Sequence, residues 1–167
     1  MIKKSVQAML VAAAMSLCGA CTSNGGEAGN SAAAGLVRTE VTVESAGGTH
    51  RFNVEVARTA KEQADGLMYR TNIPADGGML FAPYPAGGGA PKVASFWMRN
   101  TPSPLDILFI RPDGTVATLV ENTIPFSETP VASREPVSAV LEIRGGRAAE
   151  LGIAEGDKVR WKDVPAK

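Results

Sequence analysis

Cysteine is almost missing from this chain. Its two cysteines, Cys18 and Cys21, both fall within the first 21 residues. With Cys18 in a removed leader and Cys21 lipidated, as read below, the mature domain has no thiol. That excludes disulfides, cysteine nucleophiles and thiolate metal sites. Histidine is equally scarce. His50 stands alone beside a hairpin turn, so a Ser-His-Asp triad has poor support and a zinc site lacks its usual ligand set. No apolar run reaches the ~20 residues of a membrane-spanning helix. A charge of one sign is lacking too. Setting aside Lys3 and Lys4, the 17 basic residues become 15 against 17 acidic, a formal charge of −2. That balance gives no general argument for nucleic acid or anionic lipid. There is no phosphate loop, dinucleotide fingerprint, basic aromatic stripe or internal repeat.

What is present begins with an address. Lys3 and Lys4 form a positive region, Val6 to Leu17 is a short apolar run, and Gly19-Ala20 offers small residues for cleavage. Residues 1–20 therefore read as an export signal. Cys21 after Gly19-Ala20 resembles a lipoprotein box, although Cys18 stands where a branched aliphatic residue is usual. The alternative is an ordinary secretory signal cleaved near the same place. Thr22 after the cysteine resembles an outer-membrane sorting context. Residues 21–35 then form a lipidated cysteine and a small, glycine-rich tether. Residues 36–164 read as one β-rich domain, large enough for a sizeable core. The expected location is the bacterial cell envelope, facing the periplasm and anchored to the outer membrane.

Within the domain, Val37 to Glu44 and Arg51 to Ala57 alternate apolar and polar residues about the Ala46-Gly47-Gly48-Thr49 turn, which predicts a hairpin. Thr59-Ala60-Lys61-Glu62 is a capping box that predicts a helix through about Met68. Gly78 to Phe81, Phe96 to Met98, Leu105 to Ile110, Thr115 to Glu121, Val137 to Ile143 and Lys158 to Trp161 read as strands, and Arg147 to Leu151 as a second short helix. Ala82 to Lys92, rich in proline and glycine, reads as a loop. The predicted class is α+β, mostly β: about seven strands in a mixed or antiparallel sheet, curled or closed into a barrel, with two short helices.

The centre of this plan is Ser95 to Ile110, two apolar runs around the corner Arg99-Asn100-Thr101-Pro102-Ser103-Pro104. Both proline rings restrict the residues before them, which holds Asn100 and Thr101 in place. Leu105 to Ile110 is apolar on both faces except for Asp106, and a carboxylate in an apolar row must find donors or a cation.

An ordered set of segments carries a resemblance: Phe52-x-Val54-Glu55-Val56-Ala57, Glu62-x3-Gly66-Leu67-Met68-x-Arg70, Gly78-Met79-Leu80-Phe81, Phe96-Trp97-Met98-x-Asn100-Thr101, Pro104-Leu105-Asp106-Ile107, Val140-Leu141-Glu142, and Leu151-Gly152-Ile153-x2-Gly156-Asp157. Together they resemble the prokaryotic family called domain of unknown function 192. The resemblance implies a compact, barrel-like β domain, commonly exported, and no established reaction. Thr101-Pro102-Ser103-Pro104 departs from the usual aliphatic-proline pair, and Ile124-Pro125-Phe126-Ser127 lacks a cysteine many relatives have. Gly156-Asp157 also resembles the turn of cradle-loop barrels, and Asp157 is read as structural.

The candidate binding residues are Arg70, Trp97, Asn100, Thr101 and Asp106, an aromatic surface with a few polar groups, as small-ligand pockets use. A competing reading buries Trp97 in the core and pairs Asp106 with Arg70 or Arg99. Glu62 is read as a helix cap. It could instead pair with Asp106 as two catalytic carboxylates. A copper(I) site from Met68, Met79 and Met98 is a remote alternative to core packing. No other metal and no cofactor is expected. The sequence thus reads as a ligand-binding or accessory module rather than an enzyme. Its expected partners are a membrane, through the anchor, and a small polar or carbohydrate ligand. The alternatives are a carbohydrate-active hydrolase using Asp106 and Glu62, and a structural envelope protein without a ligand.

Overall fold

The computed structural model describes residues 35–163. The predicted signal, Cys21 and nearly all of the tether lie outside these residues, as does Val164. Strands β1 (Arg38–Ser45) and β2 (Gly48–Ala57) form the expected hairpin, and α1 (Ala60–Asp65) follows. The Thr59 hydroxyl accepts from the Glu62 amide, and Glu62 closes the capping box. Gly66, at φ 47°, ends this helix earlier than Met68. After β3 (Gly78–Phe81) come β4 (Lys92–Phe96), β5 (Leu105–Ile110), β6 (Val116–Val120), β7 (Val131–Val137), β8 (Ala139–Arg144), α2 (Arg147–Leu151) and β9 (Lys158–Trp161).

Seven strands make one sheet in the order β6-β5-β8-β3-β2-β1-β9, antiparallel except for the β2–β3 pair. The sheet curls until its edges touch at one end. There the Val116 amide donates to the Asp157 carbonyl at 2.9 Å, and the Val159 amide to the Gly114 carbonyl at 2.8 Å. β4 and β7 pair with each other as a separate ribbon. Two strand expectations are corrected here. The strand expected at Phe96 to Met98 ends at Phe96, and the one expected from Val137 divides at Ser138, where the chain passes from ribbon to sheet. β7 carries Pro136 and a left-handed Arg134 at φ 62°, which only a strand free of neighbours on one side accommodates.

Side-chain alternation gives the sheet two apolar faces. Val41, Val43, Phe52, Val54, Leu80, Leu108, Leu141 and Ile143 point into the curl. Met79, Phe81, Ile107, Phe109 and Val140 point outward, beneath the ribbon and the Leu67 turn. β5 is buried at all six positions because both faces are covered.

The inward face ends at α2, whose Ala148 and Leu151 close that end of the curl. Gly146, the residue at its N-cap, supplies no side-chain cap. Asp106 of β5 supplies one across the fold. Its Oδ1 accepts from the Asn122 amide at 2.8 Å and the Gly146 amide at 2.9 Å, and its Oδ2 accepts from the Ala148 amide at 2.7 Å. Asp106 is fully buried. One carboxylate thus joins a strand, a loop and a helix start whose donors would otherwise be orphaned. Asp106→Ala should cost about 2–4 kcal/mol of stability, since it leaves buried donors unpaired. Denaturant unfolding checks this, and an unchanged midpoint would contradict it.

Candidate functional site

β4 turns Phe96 into the outer core, where its ring meets Phe81 at 5.0 Å and Phe109 at 5.9 Å, both edge to face. The chain then leaves the strand, placing Trp97 at the surface and Met98 back in the core. Trp97 is 47% exposed, which overturns the reading of it as core. The Arg99 guanidinium lies 5.4 Å from the centre of its ring, a cation–π contact.

Beside Trp97 is a groove of about 330 Å³. Gln63 to Met68 make one wall, Tyr84 and Ser95 to Trp97 the other, and Phe81, Thr101 and Glu142 lie deeper. Glu142 is the group that changes its chemistry. In β8 it lies between Met79 of β3 and Ile107 of β5 and shares the outer face with Val140. It is only 4% exposed. Burial pushes its carboxyl up to about 8, and no hydrogen bond or opposite charge offsets that burial. Among the described residues no side-chain oxygen or nitrogen is sealed away without a partner, so the carboxyl keeps its access through the groove. At neutral pH it is an acid that holds its proton and can donate it in a hydrogen bond.

The backbone around Glu142 leaves little slack. A Cβ on Gly78 would lie 2.1 Å from the Glu142 carbonyl oxygen, so β3 approaches β8 there only because residue 78 is glycine. A second cavity, about 440 Å³ near Val56, Leu80 and Trp161, is larger but has no buried ionisable group in its lining.

Of the five binding candidates, Trp97 and Thr101 line the groove. Thr101 is buried, and its amide donates to the Met98 carbonyl at 3.0 Å. Asn100, left-handed at φ 56°, accepts from the Tyr69 amide at 2.7 Å, and its Nδ2 lies 3.9 Å from the Met68 sulfur. Arg70 is elsewhere. It forks onto Glu55 at 2.9 and 3.3 Å, and Glu55 also meets Arg38 at 3.5 Å.

Asp106 is a correction. It was expected beside Trp97 or paired with Arg70 or Arg99, but its side chain points into the curl while Trp97 borders the opposite face. The expected Asp106–Glu62 pair is corrected for the same reason. Glu62 is committed to its helix, its Oε2 accepting from the Thr59 amide at 2.9 Å and the Arg58 amide at 2.8 Å. Those bonds, Thr59 first, hold its carboxyl below the usual carboxylate range. Asp157 accepts from the Ala154 amide at 2.7 Å within its turn. Met79 and Met98 are core, and the Met98 sulfur accepts from the Thr123 hydroxyl at 3.1 Å, so the three methionines do not open onto a shared site. His50 is half-buried, 3.0 Å from the Ser45 hydroxyl.

The sequence did signal Glu142. Val140-Leu141-Glu142-Ile143 is a second apolar row with one carboxylate, the pattern that singled out Asp106.

The family model for domain of unknown function 192, an uncharacterised ACR, matches residues 41–161. A solved protein of unknown function from Novosphingobium aromaticivorans is 48% identical with a TM-score of 0.71, over 77% of this chain and 88% of that one. A candidate transcription regulator from Sinorhizobium meliloti is 40% identical with a TM-score of 0.70, over 76% of this chain and 95% of that one. No curated protein matches.

Glu142 makes stability depend on pH. Its folded value, about 8, lies above its ordinary value of 4.5, so the folded state binds the extra proton between them. Stability should therefore fall as pH rises from 4.5 to 8, by up to about 1.4 kcal/mol per pH unit, and level off above. Glu142→Gln should remove that slope. Chemical unfolding at several pH values measures it, and parallel profiles for the two proteins would contradict the assignment.

Proposed function

We propose a function for a chain that belongs to the domain of unknown function 192 family, a membership that brings no established activity with it. The chain is a lipid-anchored, periplasm-facing envelope protein that binds a small ligand in the Trp97 groove. The observation that carries this is an unpartnered, buried carboxyl at the inner end of an aromatic groove. A purely structural corner has no use for it, since an unpaired buried polar group costs stability and a bound ligand would supply the missing partner. The ligand has a planar or apolar body that lies on Trp97 and Tyr84, and a carbonyl or hydroxyl oxygen that accepts from protonated Glu142. Small neutral glycans and aromatic carbonyl compounds both have that form. Arg99 and Lys92, each over a ring of the groove wall, place positive charge at its rim, which suits acceptor-rich ligands better than cations.

The hydrolase reading loses its support because Glu62 and Asp106 serve opposite faces of the sheet. The regulator description of the Sinorhizobium protein gains none here, with a formal charge of −2 after Lys3 and Lys4 and no basic stripe. Cys21 is the anchor, so Cys21→Ser should release the protein from the membrane fraction. Its persistence there would sink the anchor.

Fluorescence of Trp97 in a Trp161→Phe background, titrated with envelope glycans and small aromatic carbonyl compounds, tests the groove. A saturable change at pH 6–7 that weakens above the Glu142 value of about 8 is expected. Glu142→Gln, which keeps a donor at all pH values, should bind without that dependence. No saturable response, or equal affinity on both sides of that value in the native protein, would contradict the reading.

A further inference from the structure

Four of the five large hydrophobic side chains exposed among the described residues gather at one corner: Tyr69 (74% exposed), Trp97, Ile124 and Phe126 (62%). They come from three loops that the backbone stitches together. The Tyr69 amide donates to the Asn100 carbonyl at 2.7 Å, the Phe126 amide to the Thr101 carbonyl at 3.1 Å, and the Met98 amide to the Ser127 carbonyl at 2.8 Å. Two of the exposed rings sit on left-handed backbone, Tyr69 at φ 63° and Phe126 at φ 60°. A bulky residue adopts that conformation at a cost and gains no burial from it in the isolated domain.

Leu36, near the first described residue, packs against the outer core, the cluster to which Leu67, two residues before Tyr69, belongs. Arg38 is linked through Glu55 to Arg70, the residue after Tyr69. The domain is therefore reached from its N-terminal side next to this corner. We propose that the corner docks on the lipid surface that carries the Cys21 anchor, with Tyr69, Trp97, Ile124 and Phe126 in the interface. The inference rests on the anchor and shares Trp97 with the groove. Tyrosine and tryptophan favour the boundary between headgroups and acyl chains, and arginine beside them favours phosphate. Thr22 to Gly35 has 14 residues, which at full extension span at most about 50 Å. A link that short keeps the corner at high effective concentration near the bilayer, so a patch that meets free vesicles only at high lipid suffices once anchored.

The test uses lipidated full-length protein with Trp161→Phe in phosphatidylethanolamine/phosphatidylglycerol vesicles, some with brominated acyl chains. Trp97 should be quenched by the brominated lipid, and its accessibility to iodide should drop several-fold relative to Cys21→Ser protein in solution. Ile124→Ser with Phe126→Ser, both at exposed positions, should restore iodide access while the protein still floats with the vesicles. Equal iodide access on vesicles and in solution would overturn the docking. Failure of the native protein to float would overturn the anchor alone. The corner is then judged on Cys21→Ser protein at high lipid, where brominated-lipid quenching supports it and its absence overturns it.

Discussion

Asp106 holds the domain's architecture together. A strand buried on both faces has no room for a charge, yet β5 carries one, and the fold answers by bringing three amides to it from two other segments. The carboxylate fixes where α2 begins, α2 closes the end of the curl, and Ala148, Leu151 and Ile153 complete the inner core around that closure. The β5–β8 register follows the same restraint, since Asp106 lies opposite Ile143, three residues before Gly146. With that register set, Glu142 faces the outer side at the level of Ile107.

Two acids in adjacent strands therefore meet opposite fates for one geometric reason. Asp106 and Glu142 sit on opposite faces of the same sheet. The inner face supplies backbone donors from a loop and a helix start, which engage both oxygens of the Asp106 carboxylate. The outer face supplies methionine, phenylalanine and a water-accessible groove, which suit a protonated one. The first acid is fully spent on structure. The second has no protein partner, and in that position it is available to a ligand.

Much of the fold was legible in the sequence. Period-two alternation gave the β1–β2 hairpin, the capping box gave α1, and a run apolar in both parities but for Asp106 gave β5 as a strand covered on both sides. The ribbon was not legible, because Ala132 to Pro136 is polar, carries a proline and bends at Arg134, so nothing in it alternates like a strand. Trp97 stood out in the sequence as a candidate, but its face was not legible, since β4 ends one residue earlier and the alternation stops there. The site suffered most from a property that sequence does not carry. An acid in an apolar row can be met by amides or left facing a groove, and only the pairing of distant strands decides which. Trp97, Asn100 and Thr101 are neighbours of Asp106 along the chain but not across the sheet, whereas Glu142 comes to the groove from some forty residues beyond Thr101 through β8.

The most direct measurement is a carbon-13 titration of the glutamate side-chain carboxyls, with Glu142→Gln to assign the resonance. The account predicts one glutamate that stays protonated through neutrality and titrates near 8, absent from the variant. If every glutamate carboxyl instead titrates in the ordinary range near 4.5, Glu142 is ionised at neutral pH and the groove has no neutral donor to offer a ligand.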